Sequence, residues 1–172
     1  MNKIFKVFFL VAAFFALNTV ASAQTVKIAH VNTNDVMNAM PDKAKAEKNL
    51  EKYYNELQEQ LKGMYTGYQN KLQDYQSNAE TMSNLVKQSK EKELVDLESR
   101  ITAFQSNAET EFANKRDELL APLLEKIQNA INAVGKEKGY TYIIDLATGT
   151  AVYVGTDAVD VTKDVKNKLG IK

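Results

Sequence analysis

The sequence predicts an α+β protein in which a long antiparallel α-helical coiled-coil hairpin is inserted in a small head of β-strands. Three observations lead to this fold class. Residues 41–134 carry apolar side chains at helical spacing almost without interruption. The flanking residues, 24–40 and 135–172, contain short segments rich in β-branched and aromatic side chains. The helical pattern lapses near its middle, which favours a helix that folds back on itself over a single long rod.

Residues 1–23 have the features of a secretory signal peptide. Lys3 and Lys6 precede an apolar run at residues 7–17, and the small residues Ala-Ser-Ala follow it. This order predicts export as a soluble protein and cleavage after Ala23, because the segment is too short for a membrane span.

The composition excludes several classes of protein. The chain has no cysteine, so neither a disulfide framework nor a lipid-modified cysteine is available. It has 22 basic and 22 acidic residues, and loss of the signal peptide would leave the mature chain slightly acidic. Because nucleic-acid binding normally shows as a basic excess, nucleic acid is not expected as a partner.

The first flank of the arm begins with a strand. Val26–Val31 alternates in the manner of a half-buried strand. Thr33 or Asn34 then offers an N-cap for a short helical turn, and the chain enters the arm at Pro41.

The second flank contains a helix stop, a hairpin and a last short helix. Gly135 and Gly139 are typical of a helix C-terminus. The remaining elements follow in chain order as the strand Tyr140–Leu146, the turn Ala147–Thr150, the strand Ala151–Val154 and the helix Val161–Leu169, capped by Asp160 or Thr162. With the first strand this makes three short strands.

Such a head is too small to be self-sufficient. Three strands and one short helix fall below what usually forms an independent core, and a small sheet leaves unpaired edges. We therefore expect an oligomer in which strands from several chains close a shared sheet or barrel.

The arm is expected to consist of two amphipathic helices joined at a tip. Apolar residues recur at steps of three or four in both halves, as in a coiled-coil seam. The pattern lapses at residues 83–92, which predicts the tip, and each half would be about 60 Å long. The two stripes are Leu50, Tyr54, Leu57, Leu61, Met64, Tyr68, Leu72, Tyr75, Ala79 and Met82, and Leu94, Leu97, Ile101, Phe104, Ala108, Phe112, Leu119, Leu123, Ile127 and Ile131.

Three residues of the arm are hinge candidates. Gly63 and Gly67 either form a soft spot that lets the arms splay or make room for a bulky ring of the opposite helix. Pro122 either kinks the second helix or begins a new one.

The sequence offers no catalytic site. His30 is the only histidine, so no second histidine or cysteine completes a transition-metal site. No glycine-rich loop ends in Gly-Lys-Ser or Gly-Lys-Thr, the pattern that binds nucleotide phosphates. We expect neither enzyme activity nor a bound cofactor or metal.

The order of these segments resembles the Skp (OmpH-like) family of periplasmic chaperones. The segments that carry the resemblance are Lys27–Asn32, Asp35–Met37 leading to Pro41, the two arms, Ala133–Tyr140, Tyr142–Asp145, and Asp160–Val165 running to Leu169. The resemblance implies a homotrimer whose strands form a small β-barrel and whose three arms surround a cavity. It also implies a periplasmic holdase that binds unfolded outer-membrane β-barrel proteins without nucleotide.

A holdase of this kind would bind its clients, the unfolded proteins it protects, through side chains of the arms. Tyr53 and Tyr65 lie off the apolar stripe, so we expect them to contact clients. Met64, Tyr68 and Met82 are further candidates, although stripe residues can equally form only the seam between the helices.

Lysines cluster near the expected tip. Lys87, Lys90 and Lys92 are interleaved with acidic residues. They either contact a membrane surface or an acidic client, or belong to a solvated turn of mixed charge.

A different class of function is a structural or adaptor coiled-coil protein of the cell envelope. In that case the hairpin is a rod that docks one folded partner through its tip. A holdase instead binds many unfolded proteins and releases them once they fold.

Overall fold

A computed structural model of the protein describes residues 26–171; the expected signal peptide lies outside this range. Two long helices form the arm and the remaining elements form the head. In chain order the elements are β1 (Ile28–Val31), α1 (Thr33–Ala39), α2 (Pro41–Asn78), α3 (Asn84–Lys138), β2 (Tyr142–Asp145), a 3₁₀ turn (Leu146–Thr148) and α4 (Thr162–Lys168). The α+β class and the helical hairpin are therefore confirmed.

The sheet of the head consists of two parallel strands. Ile28 pairs with Tyr142 and Val31 pairs with Asp145. Parallel strands need a long crossover connection, and here the whole arm is that crossover. Ala29 and Val31 point to the buried side, whereas Ile28 stays 50% exposed on the other side.

The expected hairpin between Tyr140–Leu146 and Ala151–Val154 is wrong. The carboxylate of Asp145 accepts a hydrogen bond from the backbone N–H of Ala147 at 3.0 Å, which starts a 3₁₀ turn directly after β2. Gly149, at φ 69°, ends that turn and redirects the chain. Residues 151–154 consequently form no strand within the described residues.

The free edge of β1 is occupied by a segment nearer the C-terminus. The backbone N–H of His30 donates to the carbonyl of Val159, and the N–H of Val161 donates to the carbonyl of His30, both at 2.9 Å. This single bridge places the start of α4 beside β1. The expected helix therefore forms, with Asp160 accepting a hydrogen bond from the N–H of Thr162 at 2.8 Å.

The core of the head combines both flanks with the base of the arm. Helix α3 continues through Gly135 and ends at Gly139, which adopts the left-handed conformation at φ 66°. Its last turns pack into the head, so residues 123–134 belong to the head core as well as to the helix. The buried core residues are Ala29, Val31, Val36, Met40, Leu123, Ile127, Ala130, Val134, Val161 and Val165.

The turn of the hairpin lies at residues 79–83, slightly before the expected tip. Helix α2 ends at Asn78 and α3 begins at Asn84. Ser83 is the N-cap of α3, and its hydroxyl accepts a hydrogen bond from the N–H of Val86. The polar stretch 84–92 is thus the exposed first part of α3 rather than a loop.

Polar contacts between the two helices supplement a thin apolar seam. Between Ala46 and Leu123, only Ile101 is a buried hydrophobic residue among those described. The cross-helix polar contacts are Lys126 to Asp42 at 2.6 Å, Lys90 to Asp74 at 3.3 Å, Lys71 to Glu93 at 2.5 Å, Tyr75 to Glu91 at 2.5 Å and Gln105 to Tyr65 at 3.1 Å.

The ion pairs of the arm predict a loss of stability in acid. The hydrogen bond and charge of Lys126 hold the pKa of Asp42 below its ordinary value of 3.8. Because this pKa is lower in the folded than in the unfolded chain, the pair stabilises the fold above the unfolded pKa, and this contribution disappears as pH falls through the folded pKa. The thermal midpoints of wild type and Asp42→Asn should therefore differ above about pH 5 and converge as pH falls below 3.8 and through the lowered pKa of Asp42. The thermal midpoint of Lys126→Gln should approach that of wild type over the same fall in pH. A difference between the midpoints of wild type and variant that stays constant as pH falls would contradict the expectation.

Candidate functional site on the arm

One face of the hairpin carries three tyrosines of α2, each in contact with a different residue of α3. The hydroxyl of Tyr75 donates to a carboxylate oxygen of Glu91 at 2.5 Å. The amide nitrogen of Gln105 donates to the hydroxyl of Tyr65 at 3.1 Å.

The third contact on this face is aromatic. Tyr54 and Phe112 pack edge to face, with ring centroids 5.7 Å apart. The α3 partners, Glu91, Gln105 and Phe112, are separated by multiples of seven residues and therefore lie along one edge of that helix. We call this surface, formed by Tyr54, Tyr65, Tyr75, Glu91, Gln105 and Phe112, the tyrosine face.

An open groove runs along the part of the tyrosine face that is nearer the head. Its volume is about 360 Å³. Apolar and aromatic side chains dominate the lining, which consists of Tyr54, Leu57, Gln58, Leu61, Phe104, Gln105, Ala108, Glu109 and Phe112. Since two helices cover a seam from only two sides, these stripe residues are not closed off from solvent. Tyr54 remains 47% exposed.

The candidate contact residues fall in different places. Tyr65 is 42% exposed and lies on the tyrosine face. Tyr53, Met64 and Tyr68 are half-buried and do not line the groove. Met82 is half-buried in the turn at residues 79–83.

Tyr54 and Phe112 were expected in the seam; their rings meet across it, and both also line the groove. A signal for Phe112 is present in the spacing of the second stripe. The steps from Phe104 to Ala108 and from Ala108 to Phe112 are both four residues, and two successive fours rotate the next side chain towards the edge of the seam. No comparable signal marks Gln105 or Glu109, because a polar residue beside a seam is ordinary.

The head presents a second apolar surface, on the side of the sheet that faces away from the core. Ile28 and Tyr142 are a cross-strand pair, and Ile144 follows on the same side. Their exposed fractions are 50%, 62% and 39%. Val152 and Tyr153 in the following loop are 101% and 84% exposed. A contiguous apolar patch of this kind normally marks an interaction surface.

His30 lies in β1 at the margin of this patch. Its Nδ1 atom is buried, makes no hydrogen bond to the described residues and lies 3.9 Å from a carboxylate oxygen of Asp160. Residues 26–171 contain no group of three His, Cys, Asp or Glu side chains arranged to hold a metal ion.

Comparison with known proteins decides the family. The sequence profile of the family described as "Outer membrane protein (OmpH-like)" matches residues 27–169, which include both the head and the arm. The chain belongs to the OmpH-like family.

Relatives within the OmpH-like family carry the name "Chaperone protein Skp". The protein from Yersinia enterocolitica is 27% identical over 154 residues, which are 90% of this chain and 92% of the relative. The protein from Pectobacterium atrosepticum is 28% identical over 150 residues, 87% of this chain and 89% of the relative. These names describe chaperones, not enzymes, and support a chaperone role for this chain.

A solved structure shows the same fold. The crystal structure of a protein from Caulobacter crescentus CB15, described as an OmpH-like outer membrane chaperone, superimposes with a TM-score of 0.72. The match covers 83% of each chain at 12% sequence identity. Within residues 26–171 of this OmpH-like protein, no helix has the length and apolar character needed to cross a membrane.

In this OmpH-like chain the two arm glycines do not make room for a ring. A Cβ atom added at Gly63 or Gly67 would meet nothing within 4 Å apart from their own helix. That alternative is therefore wrong, while the hinge stays a prediction.

Replacing Gly63 and Gly67 by alanine should stabilise the arm. Each substitution removes a glycine penalty of about 1 kcal/mol in a helix interior without a clash, so the free energy of unfolding should rise in urea titrations. Amide exchange between residues 60 and 70 should slow if the glycines form a soft spot. Gly139→Ala is the matched control and should destabilise, because Gly139 has a positive φ. Lower stability of the double variant would contradict the expectation.

Pro122 lies inside a continuous helix. Helix α3 runs without a break from Asn84 to Lys138, so no new helix begins at Pro122, and a kink there remains the prediction.

The lysines near the turn differ in their contacts. Lys90 pairs with Asp74, whereas no ion pair involves Lys87 or Lys92 within the described part of the chain.

Proposed function

We propose that this protein is an ATP-independent periplasmic holdase chaperone, which binds unfolded outer-membrane β-barrel proteins between helical arms and prevents their aggregation. The observation that carries the proposal is the open apolar groove of the tyrosine face, which no described part of the chain covers. Membership of the OmpH-like family and relatives named as chaperones support it.

The same proposal includes self-association, with a homotrimer as the expected form. The apolar side of the two-stranded sheet is large for so small a head, and the outer edge of β2 has no strand partner among the described residues. Copies that pair at these edges would cover the patch and satisfy the edge. The arms would then project from one assembled head and enclose a shared cavity.

Client contacts are proposed for Tyr53, Tyr65, Met64, Tyr68 and Met82. Tyr65 has the best support, since its ring is exposed beside the groove. Tyrosine and methionine suit this task because they offer apolar area that adapts to many sequences. Many weak contacts of this kind hold a disordered chain without a fixed docking geometry.

An aggregation assay tests the holdase. A urea-unfolded outer-membrane β-barrel protein is diluted into buffer with and without mature protein, residues 24–172, in the absence of nucleotide. Near-stoichiometric amounts of trimer should suppress light scattering, and the same client should no longer be retained once it has folded in detergent. Unchanged scattering even at a large excess would contradict the proposal.

An envelope adaptor is the second candidate, and one observation favours it. Leu85 is 78% exposed at the start of α3, directly beside the turn of the hairpin. An exposed leucine at the end of a rod suits docking to one folded partner. Leu85→Ser should abolish capture of a folded partner in the adaptor case and leave suppression of client aggregation unchanged in the holdase case.

A further inference from the structure

The groove on the tyrosine face carries one charged side chain. Glu109 is the one acidic residue among those that line the groove, and the lining contains no lysine or arginine. The Glu109 carboxylate is exposed and forms no ion pair or hydrogen bond with the residues that the structure describes. It is therefore available to an incoming cation.

Two basic side chains that follow Glu109 on α3 already have partners. Arg116, one heptad beyond Glu109 on α3, forms a hydrogen-bonded ion pair with Asp117 at 3.0 Å. Lys115 pairs with Glu118 at 2.8 Å. Neither Arg116 nor Lys115 pairs with Glu109. In this structure they therefore do not neutralise the negative charge at the rim of the groove.

The exposed ring of Tyr54 adds a second feature that attracts cations. Tyr54 lines the groove together with Glu109 and is held at a fixed angle by its edge-to-face contact with Phe112. The face of an aromatic ring attracts a lysine or arginine side chain electrostatically. The groove therefore combines apolar walls with two groups that favour positive charge.

We propose that this groove preferentially binds extended client segments in which a basic residue lies close to a large apolar one. The apolar side chain enters between Leu57, Leu61 and Phe104, and the basic side chain reaches Glu109 and the ring of Tyr54. This inference rests on the proposed holdase function and narrows its substrate class. Segments whose apolar residues are flanked by acidic ones bind a few fold more weakly because of the charge of Glu109.

Peptide binding tests the preference. Two short unstructured peptides are prepared that contain the same phenylalanines, flanked by lysine in one and by glutamate in the other. Fluorescence anisotropy measures their affinity for the full mature protein. An exposed ion pair changes affinity by a few fold, so the lysine peptide should bind about five-fold more tightly than the glutamate peptide at low salt. The ratio should shrink as salt is added.

Two matched variants locate the charge that matters. Glu109→Gln should reduce the ratio to about two-fold. Glu111→Gln removes the same charge from the same helix, but Glu111 lies about 200° around it and does not line the groove, so the ratio should persist. Ala108→Leu should fill the groove and weaken both peptides while circular dichroism remains helical. An unchanged ratio in Glu109→Gln, or an equal reduction in Glu111→Gln, would overturn the inference.

The aggregation assay separates this inference from the holdase function itself. If the wild-type protein suppresses client aggregation but binds both peptides equally, the charge preference is wrong and the holdase function stands. If it neither suppresses aggregation nor binds either peptide, the holdase function fails and the preference fails with it.

Discussion

Leu123→Ala is expected to lower the free energy of unfolding by about 3 kcal/mol, whereas Leu124→Ala changes it by less than about 0.5 kcal/mol. Leu123 is 6% exposed and belongs to the core that joins α3 to the head. Its truncation leaves a cavity in the buried cluster that also contains Val36, Met40 and Ile127. Leu124 is 56% exposed, so its truncation to alanine removes few contacts with other side chains.

These two leucines form a matched pair. They are adjacent, occupy the same helix and follow the same proline, so helix propensity and backbone effects cancel in the comparison. Urea unfolding followed by circular dichroism measures both losses. A loss for Leu124→Ala as large as that for Leu123→Ala would show that the two positions are equally buried in the folded protein, contrary to this structure.

Replacing Ile28 and Ile144 together by aspartate is expected to dissociate the proposed oligomer of the mature protein into monomers. Both side chains lie on the side of the sheet that faces away from the core, bordered by residues 151–159. Their exposure is 50% and 39%, so an aspartate at either position stays in contact with water in a single chain. In an assembled head the same positions would place several carboxylates in an apolar interface. Burying unpaired charges there costs several kcal/mol for each group, more than a small interface provides.

Light scattering at micromolar concentration measures the change in molecular mass. The variant should also fail to suppress client aggregation, because separate arms would not enclose the proposed cavity. Leu85→Asp introduces one aspartate at a more exposed apolar residue near the turn and should leave the mass unchanged. An Ile28→Asp, Ile144→Asp protein that keeps the wild-type mass would show that this side of the sheet is not the interface.

Local patterns predicted the helices well. The three-and-four spacing of apolar residues indicated both long helices, and Gly139 carries the left-handed conformation that ends α3. The caps were placed to within a residue or two, since Asn32 rather than Thr33 or Asn34 accepts the first N–H groups of α1. Helix formation depends on near neighbours in sequence, and near neighbours are visible in a sequence.

The same patterns were less informative about the groove. Tyr54 was assigned to the seam because its spacing fits a stripe, and its ring does contact Phe112 across the seam. Its exposure follows from the number of helices around it, which spacing alone does not specify. Of the two tyrosines off the stripe, Tyr65 is 42% exposed and Tyr53 is half-buried, and client contact through either one stays a prediction.

The sequence by itself determined the α+β class, the two-helix arm, and the placement of strands on both sides of it. Only the tertiary structure decided that Ile28 pairs in parallel with Tyr142, that Ala151–Val154 is not a strand, and that the base of α3 completes the core of the head. The reason is the range of the interactions. A helical period depends on residues that are three or four positions apart in the sequence. Strand pairing here joins backbone groups more than a hundred residues apart, and it depends on which edge of the sheet is already occupied.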